Sequence, residues 1–214
     1  MHLKKRIPVY FAGLALMALG IVLIKKANLG MSPIGTIPGA VSGIASITLG
    51  NATTVFQILC ILFQVVLLRR ITIYVALQLP LAIAFGYIID FYMFLLKSFD
   101  VTPIWLGGLI CLTGIIFTAL GIVVIVATDM MLPSPDAFLR VFSRKYNKKL
   151  GNVKIAGDLT WVAIAFTIEL VSTGHITSIG VGTLLSAVLT GQFVNLLKPR
   201  LTRLEMSPMD ALPH

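Results

Sequence analysis

Charge is what this sequence has least of. Only 12% of its 214 residues are Asp, Glu, Lys or Arg, about half the ~25% of an ordinary soluble domain. Acidic residues are scarcest, eight against 17 Lys and Arg, for a net charge of +9. Histidine occurs three times and cysteine twice. With 57% hydrophobic residues and a mean hydropathy of +0.98, this deficit excludes a disordered chain and an ordinary cytosolic enzyme. Cys60 and Cys111 lie inside apolar runs and read as small buried hydrophobes, not as a disulfide framework. His2, His175 and His214 fall at the ends or in a short loop. There is no paired-His motif, no Gly-x-Ser-x-Gly and no phosphate loop. No catalytic residue, metal site or cofactor is therefore expected, and the chain is not expected to be an enzyme.

What the sequence does have is long uncharged runs of the ~17–20 residues a helix needs to cross a bilayer. They predict an all-α, polytopic transmembrane protein of a single domain. Six spans are expected, at about 8–26, 52–68, 71–96, 103–128, 155–171 and 176–197. Lys4, Lys5 and Arg6 precede the first run, which ends at Lys25-Lys26. That run is too long for the core of a signal peptide and is expected to remain as a first transmembrane helix. With the N-terminus in the cytoplasm, Lys4, Lys5, Arg6, Arg69, Arg70, the six basic residues of 140–154, Lys198, Arg200 and Arg203 all fall inside. Lys25, Lys26 and Lys97 are left outside. This asymmetry fits the positive-inside rule and predicts both termini, with the tail 198–214, on the cytoplasmic side of the cell membrane. The excess positive charge then points to anionic lipid headgroups as a partner and not to nucleic acid.

The sequence repeats itself. Ala18-Leu19-Gly20-Ile21-Val22 recurs as Ala119-Leu120-Gly121-Ile122-Val123, and Gly13 matches Gly114. Ser32-Pro33 recurs as Ser134-Pro135, and Leu49-Gly50-Asn51 as Leu150-Gly151-Asn152. Gly86 to Asp90 aligns with Gly191 to Asn195. The matches keep one order and a nearly constant offset, giving repeats at about 8–97 and 103–197. Each unit crosses the membrane three times, so the second copy is expected upside down relative to the first, an arrangement common in transporters.

Leu29-Gly30-Met31-Ser32-Pro33, Pro135-Asp136-Ala137-Phe138-Leu139, Phe85-Gly86-Tyr87-Ile88-Ile89-Asp90, and Gly180-Val181-Gly182-Thr183 with Gly191 together resemble the YczE/YyaS/YitT-type family of bacterial integral membrane proteins. The resemblance covers most of residues 8–197. It implies a fold and a membrane location more than an activity.

Ser before Pro is a helix-start signal, because Ser caps free N–H groups and Pro suits the first turn. The 134–149 segment reads as an amphipathic helix at the cytoplasmic interface, its basic face toward lipid headgroups or water. Its apolar face would carry Ala137, Phe138, Val141 and Phe142, with Arg140, Arg144 and Lys148 opposite. The uncharged 31–50 segment, with Gly35, Pro38, Gly39 and Gly43, reads as a short broken re-entrant helix. Two helix starts entering from opposite sides make Ser32, Pro33, Ser134, Pro135 and Asp136 candidate contacts for an anionic or polar solute. Asn51 and Asn152, at the starts of the short spans, are candidates too, or else helix caps. Ionisable groups within spans are costly, which nominates Asp90, Asp158 and Glu169 for gating or ion coupling. Asp158 and Glu169 are spaced to share a helix face, and Asp158 can pair with Lys154.

These features favour a small transporter or permease for a polar small-molecule solute, anionic solutes included. The competing reading is a non-transporting scaffold, or an accessory or substrate-binding component of a larger membrane complex. A homodimer is compatible with either.

Overall fold

The computed structural model describes residues 3–99, 101 and 103–202. The tail from Arg203 onward, His2 and His214 lie outside the described residues, as do the side chains of Lys4, Lys5, Lys198 and Arg200. Among the described residues the fold is all-helical, without strands. Its helices are α1 (Leu3–Lys26), α2 (Pro33–Ala45), α3 (Leu49–Leu68), α4 (Ile73–Leu95), α5 (Ile104–Ala127), α6 (Ser134–Lys145), α7 (Leu150–Thr173) and α8 (Val181–Thr202).

Five of them, α1, α3, α4, α5 and α7, are long and apolar enough to cross a bilayer. In α8 the described apolar stretch is Val181–Leu197, roughly 25 Å of helix at ~1.5 Å per residue. Val66, Ile71, Ile104, Val171 and Leu184 each expose more than two-thirds of their surface. A water-soluble fold rarely leaves so much apolar surface uncovered, and lipid tails suit it. These are the features of a multi-pass membrane protein.

α1 and α5 form the central pair, and glycine lets their backbones touch. A Cβ on Gly20 would fall 2.6 Å from the Gly114 carbonyl oxygen, and one on Gly121 would fall 2.7 Å from that of Gly13. Gly13 also meets Ile125, so the two helices run antiparallel. Close approach through small residues is the usual route to tight helix packing in lipid. Around this pair the other helices exchange partners. α2 packs on α7 as well as on α3, and α6 packs on α3 as well as on α7. α4 lies along α1, and α8 along α5. α3 and α4 form a close hairpin, whereas α7 and α8 splay apart.

Three sequence expectations need correction. The 31–50 segment is not broken: α2 is one helix across Pro38, and its ~20 Å length falls short of a ~30 Å hydrocarbon core. Its buried face, from Pro33 through Gly35, Thr36 and Gly39 to Ala40, is held by other helices. α6 is buried through a stripe beside its expected apolar face, although Phe138 of that face still packs against Trp161 at 6.2 Å between ring centroids. Ser134, Pro135, Leu139 and Ser143 are the buried residues and Phe142 is exposed, because the helix is wedged between α3 and α7. The last helix begins at Val181, where a sixth span was expected to begin at 176. Residues 175–180 are drawn into a loop whose Ser178 carbonyl accepts from Met31 N at 2.8 Å, while Gly182 N donates to the Leu29 carbonyl at 2.6 Å.

Candidate functional site

A cavity of about 720 Å³ opens between the splayed α7 and α8. Met17 and Ile21 of α1, the first turns of α2 and α6, and the facing sides of α7 and α8 line it. Most of the lining is apolar, with Phe56, Phe85, Ile122 and Leu139 among it. Polar groups enter at a few points: Gln57, Thr118, Thr190 and Asn195.

One side of the cavity is charged. Lys154 Nζ donates to Asp158 Oδ1 at 2.8 Å and stands 2.9 Å from Asp136 Oδ1. All three side chains are partly exposed to the cavity, and Arg140 also lines it. The lysine thus bridges α7 to the start of α6. Asp136 sits in the first turn of α6, where a carboxylate complements the helix dipole. Ser32, Pro33, Ile34 and Gly35 bring the start of α2 to the same cavity. Ser32 is the N-cap of α2 with extended backbone, and no side chain caps that helix.

Each helix start is held by a separate polar anchor. At α6, Gln64 and Gln78 exchange amide hydrogen bonds at 2.9 and 3.2 Å, and Gln64 Nε2 also donates to the Ser134 carbonyl at 3.2 Å. Ser134 itself is buried, and its hydroxyl donates to Gln57 Oε1 at 3.5 Å. At α2 the anchor is Glu169. This carboxylate is only 2% exposed and accepts from Thr177 N at 3.1 Å, Thr177 Oγ1 at 2.7 Å and Ser178 N at 2.9 Å. Ser178 in turn holds Met31, next to the N-cap.

The structure therefore brings together Ser32, Pro33, Pro135, Asp136 and Asp158 of the sequence candidates. It sets others apart. Asp90 lies across the α3/α4 hairpin, where Oδ2 accepts from Thr48 Oγ1 at 2.6 Å and Oδ1 from Gly50 N at 2.7 Å. It caps α3 from outside that helix. Glu169 shares a face with Asp158 but serves the α7–α8 loop. Asn51 and Asn152 neither cap nor line the cavity. The N-caps are Thr48 and Lys149, which leaves each Asn in the first turn and exposed to the surroundings.

Residues 4–199 match a family of unknown function, DUF6198. The chain belongs to this family. It is also similar to a protein of Bacillus subtilis (strain 168) called Uncharacterized protein YyaS, with 24% identity over 91% of this chain and 92% of the relative. No solved structure matches it.

Geometry explains much of what this DUF6198 member carries as sequence motifs. Gly86 and Asp90 of the Phe85–Asp90 run meet Gly50 at the α3/α4 contact. Gly30, Gly180 and Gly182 form the loop contact beside Ser32. Sequence reasoning passed over Lys154 and Arg140 as site residues, counting them with the basic interface. The i,i+4 spacing of Lys154 and Asp158 was a usable signal. No spacing rule joins Asp136 to Lys154, since they come from different helices.

Proposed function

We propose that this DUF6198 protein is a small membrane transporter or permease for a polar small solute, with anionic solutes the first class to test. The observation that carries the reading is the ion-lined cavity of about 720 Å³ framed by the starts of both Ser-Pro helices. Ionisable groups are expensive at membrane depth, so a charged cluster facing a cavity fits a solute pathway. Lys154, with Arg140 and the start of α2, offers positive partners to an anionic group on the solute. Asp136 and Asp158 hold Lys154 in position and accept hydrogen bonds from solute donors. The same carboxylates are the candidates for carrying a coupling proton. The apolar remainder of the wall suits the solute's carbon skeleton, and no covalent chemistry is assigned to the site.

In this reading α8 is a sixth crossing, and residues 8–97 and 103–197 are inverted repeats of one transmembrane domain. Antiparallel α1 and α5, and the matching exchange of α2 onto α7 and α6 onto α3, support the inversion. The distribution of Lys and Arg supports cytoplasmic termini in the cell membrane. The start of α7 and the last turns of α8 line the cavity, and in this reading they lie on its cytoplasmic side.

Ligand-dependent thermal unfolding tests the site. The purified chain is heated with sulfate, phosphate, dicarboxylates or amino acids, beside Lys154→Gln. A ligand at ~100 times its Kd adds about 2.7 kcal/mol to the native state. At least one compound should raise the unfolding midpoint by several degrees in the native chain and not in the variant. A midpoint unmoved by all of them, or moved equally in the variant, contradicts the assignment.

A further inference from the structure

The two α-hairpins of the repeats are equivalent in sequence but not in state. At the α3/α4 seam Gly50 lies against the Gly86 carbonyl, Gly86 lies against Thr54, and Asp90 caps α3. Thr54 Oγ1 also reaches the Ala82 carbonyl at 3.4 Å. The offsets of the repeat carry Gly50, Thr54, Ala82, Gly86 and Asp90 onto Gly151, Ile155, Ala187, Gly191 and Asn195. All five of these equivalents line the cavity between α7 and α8. A Cβ added at Gly151 or Gly191 would meet nothing within 4 Å. One seam is shut on glycine, and its counterpart, which keeps both glycines and the alanine but has Ile155 in place of Thr54, stands open.

Gly43 and Gly108 also face open space, but Gly151 and Gly191 face it across one cavity, where the packing of this state gives neither a reason. In a helix interior, where Gly191 stands, glycine costs ~0.5–1 kcal/mol relative to alanine. A second state in which the seam shuts supplies the reason. We infer that α7 and α8 form the inner gate of the cavity. It closes with Gly191 on Gly151, and the Asn195 side chain latches the first turn of α7 as Asp90 latches α3. The inference rests on the inverted-repeat reading above and names the residues through which the halves exchange shapes. The latches differ in strength. A carboxylate at a helix start makes charge-assisted hydrogen bonds and complements the dipole, whereas an amide offers one neutral acceptor. This difference favours the state seen here, with α3/α4 shut and α7/α8 open.

Paired cysteines read the two seams in membranes, in a chain carrying Cys60→Ala and Cys111→Ala. Thr54→Cys with Ala82→Cys reports the α3/α4 seam; Ile155→Cys with Ala187→Cys reports the α7/α8 seam. Oxidation should cross-link the first pair quickly and the second slowly. Exchanging the latches, Asp90→Asn with Asn195→Asp, should speed the second pair about tenfold and slow the first. If the exchange destabilises the chain, Asn195→Asp alone, with the Asp90 latch kept, should still speed the second pair. A second pair that never cross-links, or whose rate ignores both latch changes, overturns the gate, as does a first pair that fails to cross-link. Solute flux is scored separately. A moving seam without flux would leave the gate standing and remove transport; flux past an immobile seam would do the reverse.

Discussion

Single side chains explain why chemically similar residues have different roles here. Asp90, Asp158 and Glu169 all lie in apolar helices, yet one caps a neighbouring helix, one faces the cavity and one organises a loop. The sequence marks all three as costly, but a carboxylate's partner comes from the fold, so their roles were not readable. The Lys154–Asp158 pair was readable because four residues span one helical turn. The glycines divide in the same way. Gly50→Ala should destabilise the chain by about 1–3 kcal/mol, since its Cβ would overlap the Gly86 carbonyl. Gly151→Ala, its repeat counterpart, meets open space and should leave stability unchanged or raise it by up to ~1 kcal/mol. Thermal midpoints of the two variants check this, and equal losses would contradict the seam asymmetry.

Among whole elements, the long helices were legible because uncharged runs of bilayer length admit few alternatives. The ends were less so. α8 starts late because Ser178 and Gly182 pair with the α1–α2 connection, a contact 147 or more residues apart in sequence. The two Ser-Pro helices are legible as elements, whereas the Leu139–Ser143 stripe that α6 buries beside Phe138 is not. Its amphipathic pattern suggested an interfacial helix, whereas α3 and α7 bury the stripe through Leu139 and Ser143. Leu139 is 4% exposed and Phe142 37%. Leu139→Ala should therefore cost about 2–4 kcal/mol and Phe142→Ala no more than ~1 kcal/mol, despite the larger ring. Unfolding of the two purified variants measures it. The reverse order would contradict the burial of α6 through Leu139.

For the molecule as a whole, the sequence supports a reading as two copies but not its consequence. Near-constant offsets carry that reading, and they match Gly50 to Gly151 and Gly86 to Gly191. They do not reveal that one hairpin is shut and the other open, since both conformations suit a pair of facing glycines. The cavity exists because of that difference, and its charged wall exists because α6 meets α7 through Asp136 and Lys154. Transport through this cavity is tested most directly by solute retention in liposomes containing this chain alone. The liposomes are loaded with isotope-labelled sulfate, phosphate, dicarboxylates and amino acids, beside protein-free liposomes and liposomes carrying Lys154→Gln. At least one solute should leave the native proteoliposomes faster than both controls. Retention of every solute equal to that of protein-free liposomes, with the chain folded and inserted, would contradict a transporter and favour a chain that serves another membrane complex.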